Sequence, residues 1–171
     1  MDPAINRLVL KANRSLGSQL SQSGLVSGAH LDEANEIFVS RLREGPLRDA
    51  GLLRVLLFDL RILEENALLS YQFEQYKIGG GRLDSYQVQD EVLATVSLEE
   101  CMATWTVPVD HWHGTTFLFS CYYMSDFVRQ FWEERVHGPV SWLATTYTQL
   151  DEFFEQREAA RAASATESGG G

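Results

Sequence analysis

Residues 106–121 read TVPVDHWHGTTFLFSC, and their two-residue rhythm decides the fold. Val107, Val109 and His111 alternate with Thr106, Pro108 and Asp110. His113-Gly114-Thr115 then supplies a turn, and Thr116 to Tyr122 is an apolar run of strand length. Alternation at period two is the mark of a strand, and two such runs joined by a short glycine-containing turn form a β-hairpin.

Downstream of the hairpin, Asp126 to Val136 carries Phe127, Val128, Phe131 and Trp132 at helical spacing. Val140 to Thr145 is of strand length, and Tyr147 to Ala163 is a closing helix with Leu150, Phe153 and Phe154 on one face. Upstream, Leu98 to Trp105 suits a short helix with Ser97 as its cap and Glu99-Glu100 in its first turn. A first strand is expected within Arg82 to Gln87. The order β-α-β-β-α-β-α, with helices packed on a short sheet, is an α+β or α/β sandwich of about two layers.

The first half of the chain has no strand signal. Ile5, Leu8, Val9, Ala12, Leu16 and Leu20 give an amphipathic helix over Pro3 to Gln22, with Gly17 as a point where it pauses and Gly24 as its stop. Ser27 announces a second helix that runs toward Glu44-Gly45-Pro46. Leu47 to Leu60 reads as one buried helix, and Leu63 to Tyr76 as another. Gly79-Gly80-Gly81 is the strongest breaker in the chain and is read as a boundary. The fold class expected is α+β: a helical part over 1–78, a small α/β part with a hairpin over 82–160, and a disordered tail over 164–171.

With 171 residues, 44% apolar and 22% charged, the chain is expected to bury an ordinary core. Its net charge of −10 opposes nucleic-acid phosphates and anionic lipid, so no nucleic-acid partner is expected. The arginines between Arg41 and Arg61 alternate with Glu44, Asp49 and Asp59, the pattern of a solvated helical face. No apolar run is long enough to span a membrane, and Met1-Asp2-Pro3-Ala4 lacks the pattern of a secretory signal. A cytoplasmic protein with two free thiols, Cys101 and Cys121, is expected.

The landmarks Leu83-Asp84, Leu98-Glu99-Glu100, Val107-Pro108-Val109, Gly114, Phe117 to Cys121, Phe127 to Val136, Gly138 and Leu150 to Phe154 have a family resemblance. Over about 75 residues they resemble the N-terminal accessory domain of type II secretion and type IV pilus assembly ATPases. Leu16-Gly17, Leu20, Gly24-Leu25-Val26, Leu31 and Ala34 are similar to the helix-turn-helix repeat of the same, MshEN-like, region. The resemblance implies a regulatory or docking role, and in some members two such repeats bind cyclic di-GMP. There an arginine before Leu-Gly contacts the ligand.

Carried onto this chain, a cyclic di-GMP site would comprise Arg14, Leu16, Gly17, Leu20 and Gly24. The chain departs from the repeat in several places. Ser15 stands at the arginine position with Arg14 one residue earlier, and Phe38 stands at the glutamine position. A second repeat would begin near Gly51-Leu52-Leu53 and has Leu60 in place of its glycine. Loss of a guanidinium contact typically costs about 1–3 kcal/mol, so the repeat reads as a degenerate copy. The family's Asp-Pro after the apolar strand is also replaced, by Tyr123-Met124-Ser125-Asp126.

No Gly-Lys-Ser/Thr occurs, so the phosphate loop of an assembly ATPase is missing. His111 and His113, two apart beside Asp110 and Cys121, offer a zinc or a thiol–imidazole arrangement as the enzymatic alternative. The other reading of these residues is a solvent-facing pair at a turn and a small buried thiol. Trp112, Tyr122 and Tyr123 are the aromatics expected at a partner surface. The main expectation is a non-enzymatic adaptor, without cofactor, that docks on a protein of a bacterial secretion, pilus or motility system. A cyclic di-GMP sensor is the alternative.

Overall fold

A computed structural model describes residues 2–169. Helix α1 (Pro3–Gln22) begins where Asp2 accepts a hydrogen bond from the Ala4 amide and Pro3 pre-sets the first helical φ. It runs unbroken through Gly17. Gly24, at φ +78°, turns the chain toward α2 (Gly28–Glu44), which Ser27 caps through the His30 amide. Gly24 sits in the left-handed region that only glycine enters freely.

The run from Leu47 to Leu60 is not one helix. It divides into a 3-10 turn (Leu47–Asp49), a single α turn α3 (Leu52–Arg54) and a wide π turn (Val55–Asp59), ending at Arg61 with φ 52°. The break falls at Gly51, whose backbone is extended. A Cβ at Gly51 would lie 3.3 Å from the Tyr122 hydroxyl and 3.4 Å from the Trp105 indole nitrogen. The break is therefore set by tertiary packing rather than by local preference.

Helix α4 (Glu65–Tyr76) leads into β1, which is Gly79–Gly80 rather than the expected Arg82 to Gln87. Leu83–Ser85 forms a 3-10 turn instead. The glycine run thus supplies a strand. A Cβ at Gly80 would stand 2.3 Å from the Phe73 ring, so the missing side chain admits that ring against the sheet edge. After a short α5 (Asp90–Leu93), which the sequence pattern does not signal, Ser97 caps α6 (Leu98–Thr104) through the Glu100 amide.

Strands β2 (Thr106–Trp112) and β3 (Thr115–Ser120) form the expected antiparallel hairpin. Its turn has His113 and Gly114 both at positive φ, 50° and 79°, the mirror-image geometry that matches strand twist. Helix α7 (Asp126–Arg135) crosses over to β4 (Val140–Ala144), parallel to β3, and β1 adds parallel to β4. The sheet order is β1-β4-β3-β2. The α+β architecture holds; the expected order β-α-β-β-α-β-α differs from the structure in its first strand, which is displaced, and in the added α5.

Strand β2 is a sheet edge, and Pro108, an irregular register beside Val109 and a bond from the Gln89 amide to the Val109 carbonyl blunt it. Helix α8 (Tyr147–Gly169) closes the fold. It continues through 164–169, part of the expected tail, and residues 170–171 lie outside the described residues. Ion pairs Arg48–Asp151, Arg157–Asp90 and Arg161–Glu99 fasten it along its length. One core cluster runs from Leu8 to Phe154, so helices α1 to α4 and the sheet share it across the glycine run.

Candidate functional site

Helix α1 is bolted to the start of α7. Ser125 caps α7 through the Val128 amide and donates its own hydroxyl hydrogen to the Ala12 carbonyl. The next free amide, that of Phe127, bonds to Ser15 Oγ at 3.2 Å. Gln19 donates to Asp126, which also holds Arg129. Of the free amides at this helix N-terminus, Val128's is satisfied by its own cap and Phe127's from across the interface. Ser15, the arginine position of the repeat, has a structural task here: an arginine would bring a guanidinium to the positive end of α7.

Deeper in the same interface lies Asn13, only 1% exposed. Its amide nitrogen donates to the Val9 carbonyl at 2.8 Å. Its Oδ1 accepts from the Leu52 amide at 2.9 Å and from the Tyr122 hydroxyl at 2.7 Å. One side chain therefore joins α1, the start of α3 and the end of the hairpin.

The five residues of the expected nucleotide site do not line one surface. Leu16 and Leu20 are fully buried in the core. A Cβ on Gly17 would lie 3.1 Å from a Leu52 methyl and 3.3 Å from a Leu31 methyl, so Gly17 lets α2 and α3 approach α1 closely. Gly24 is exposed at the α1–α2 corner. Arg14 is exposed and holds no ion pair among the described residues.

The three aromatics expected at a partner surface also separate. Trp112 is 64% exposed at the end of β2. Tyr122 is buried completely, because its hydroxyl reaches Asn13, and it offers nothing to a partner. Tyr123 is half-buried, edge-on between Tyr76 at 5.5 Å and Trp142 at 5.7 Å, with the Arg129 guanidinium 5.0 Å from its ring centre.

The enzymatic alternative finds poor geometry. His111 bonds through Nδ1 to Thr116 Oγ1 at 3.0 Å, whereas His113 has left the strand for the turn. No group of three metal-ligating side chains converges among the described residues. Cys101 and Cys121 are buried, and burial pushes both thiols above their ordinary value of 9.0. A thiol held neutral in this way is a weak nucleophile.

Burial likewise raises the Tyr122 and Tyr147 phenols above their ordinary 10.0. Groups raised on folding leave stability intact below their unfolded values. Above those values the unfolded chain loses protons that the folded chain keeps, and stability falls. Stability is therefore expected to be level from neutrality to about pH 8 and to decline above about pH 9. Urea melts across that range check this, and the native thiols should resist a disulfide reagent until the chain unfolds.

Several concave surfaces lie among the described residues, and two of them are large. One, of about 670 Å³, lies among α5, the β2 edge and the end of α7, with Asp110, His111, Thr116 and His137 at its wall. The other is a groove of about 480 Å³ between α1 and α7, floored by Ile5, Leu8, Phe127 and Phe131 and rimmed by Arg7 and Lys11. Periodicity placed Leu8, Phe127 and Phe131 in the core stripe of their helices. The groove between those stripes had no sequence signal.

No family model and no curated sequence matches this chain. A solved structure described as MshE with cdg (cyclic di-GMP) is similar to it, with a TM-score of 0.51, covering 82% of this chain and 96% of that one at 17% identity. At that identity the likeness shows a shared fold. No helix among the described residues is long and apolar enough to cross a membrane.

Proposed function

We propose that this protein is a non-enzymatic docking or regulatory module, with the MshE-like fold put to protein–protein contact in a secretion, pilus or motility machine. The observation that carries this reading is the likeness to MshE over 82% of this chain and 96% of that one; both thiols of this chain are buried, and no three metal-ligating side chains converge among the described residues. What the surface offers instead is an amphipathic groove and an exposed Trp112.

The test is reciprocal co-purification with the assembly ATPase and the inner-membrane platform protein of such a machine, each tagged in turn. Retention of either at stoichiometric level is expected. Absence of both from the purified complex, with the protein folded, would overturn the docking reading.

Cyclic di-GMP binding is the second reading. It is favoured by the ligand in the similar structure and by the Leu16-Gly17, Leu20 and Gly24 pattern at the α1–α2 corner. Against it stand the burial of Leu16 and Leu20 and the structural engagement of Ser15. If a nucleotide does bind there, Arg14→Ala should abolish binding, since Arg14 is the exposed guanidinium nearest the motif in sequence.

A further inference from the structure

The groove between α1 and α7 differs from the rest of the molecule in its charge. The chain is strongly acidic, with a net charge of −10, yet α1 contains no aspartate or glutamate. Its cations Arg7, Lys11 and Arg14 follow one another at spacings of four and three residues, which aligns them on one face. All three are exposed, and none holds an ion pair among the described residues. Most other arginines do, as in Arg41–Asp59, Arg48–Asp151 and Arg161–Glu99.

The row borders an apolar floor. Ile5 and Leu8 come from α1, and Phe127 and Phe131 from α7 stack at 6.5 Å between ring centres. Lys11 Nζ lies 5.8 Å from the Phe127 ring centre, so its cation has an aromatic face beside it but no carboxylate. The one acidic group in the groove, Glu100, already bonds Arg135 at 2.9 Å, and Arg135 spends a second donor on the Thr95 carbonyl. That pair cancels itself and leaves the net charge of the groove to Arg7 and Lys11.

We infer that this groove, with its cationic row, is the docking site for an acidic amphipathic helix of a partner protein. The row from Arg7 to Arg14 extends roughly 10 Å along α1, two helical turns. A helix with carboxylates at the same four-and-three spacing can face all three cations while an adjacent apolar side chain enters between Leu8, Phe127 and Phe131. A small anion would use only one or two of those cations. A planar anionic membrane would also meet the acidic remainder of the surface, which repels it. The inference rests on the docking reading and adds to it the surface and the chemistry of the partner.

The probe is a synthetic helical peptide with glutamates at i, i+4 and i+7 and leucines on the neighbouring stripe, compared with the same peptide carrying glutamines. Fluorescence anisotropy should show saturable binding of the glutamate peptide that weakens as salt rises. Binding should fall by roughly tenfold or more in the double variant Arg7→Glu/Lys11→Glu. The control Arg43→Glu/Arg61→Glu, which alters two exposed arginines outside the groove, should leave it unchanged. Equal binding of the glutamine peptide, or equal loss in both double variants, would overturn the inference. So would binding to phosphatidylglycerol vesicles without binding to the peptide.

The Arg7→Glu/Lys11→Glu variant also separates this inference from the reading it rests on. If that variant still co-purifies with the machine component as the unaltered protein does, the groove is wrong and docking stands. If the peptide binds but no machine component is retained, docking to that machine fails while the groove remains an acidic-helix site.

Discussion

Replacing Asn13 with alanine is expected to lower stability by about 3 kcal/mol. The side chain is 1% exposed, and its Oδ1 is the acceptor for both the Leu52 amide and the Tyr122 hydroxyl. Truncation strands two buried donors, each at a cost of about 1–3 kcal/mol, and leaves a small void. Tyr122→Phe removes one of those donors, so Asn13→Ala/Tyr122→Phe should cost less than the sum of the single changes. Urea denaturation checks both, with an unchanged slope showing that the folded state is otherwise preserved. Because Asn13 ties the helical half to the hairpin, and the two halves share one core, the same melts should show a single cooperative transition. A mild Asn13→Ala effect with two separate transitions would show that the interface is not what holds the halves together.

A comparable loss, about 3–5 kcal/mol, is expected for Trp105→Ala. Trp105 is 1% exposed and stacks on Tyr147 with ring centres 4.0 Å apart and planes inclined by 28°. Phe154 meets it edge-on at 5.3 Å. A Cβ on Gly51, at the break between the 3-10 turn and α3, would meet the Trp105 indole nitrogen at 3.4 Å. Removing the indole empties the contact among α8, α6 and the start of α3. Trp105→Phe keeps the stack and should recover about half the loss. An alanine variant within about 1 kcal/mol of the unaltered protein would mean that this packing contributes little.

The parts of the fold that local chemistry specifies could be read from the chain. Ser27 and Ser97 cap helices where a serine precedes an apolar period, and His113-Gly114 turns the hairpin. Other features belong to contacts between distant segments. Gly79 and Gly80 look like a flexible break, yet they form a strand because the Phe73 ring needs the space of a missing side chain. The Leu47 to Leu60 run looks like one helix, and it is broken where Trp105 and Tyr122 press on Gly51. Tyr122 and Tyr123 are alike in sequence, but Tyr122 is drawn inward by Asn13 across 109 residues.

The candidate site was less legible for the same reason. Leu16, Gly17 and Leu20 follow a motif whose apolar positions serve packing and ligand equally well, and burial assigns them to packing. Ser15 looks like a lost arginine until its bond to the Phe127 amide is seen. Of the cationic row the sequence singles out only Arg14; Arg7 and Lys11 join it once α1 is one unbroken helix. The apolar floor beside it exists only once α7 lies against α1.

Isothermal titration of the purified protein with cyclic di-GMP bears most directly on whether this fold acts here through its surface rather than through a bound nucleotide. The docking reading predicts no saturable heat with ligand in the high-micromolar range. A stoichiometric isotherm that disappears in Arg14→Ala would contradict it and make the protein a nucleotide sensor.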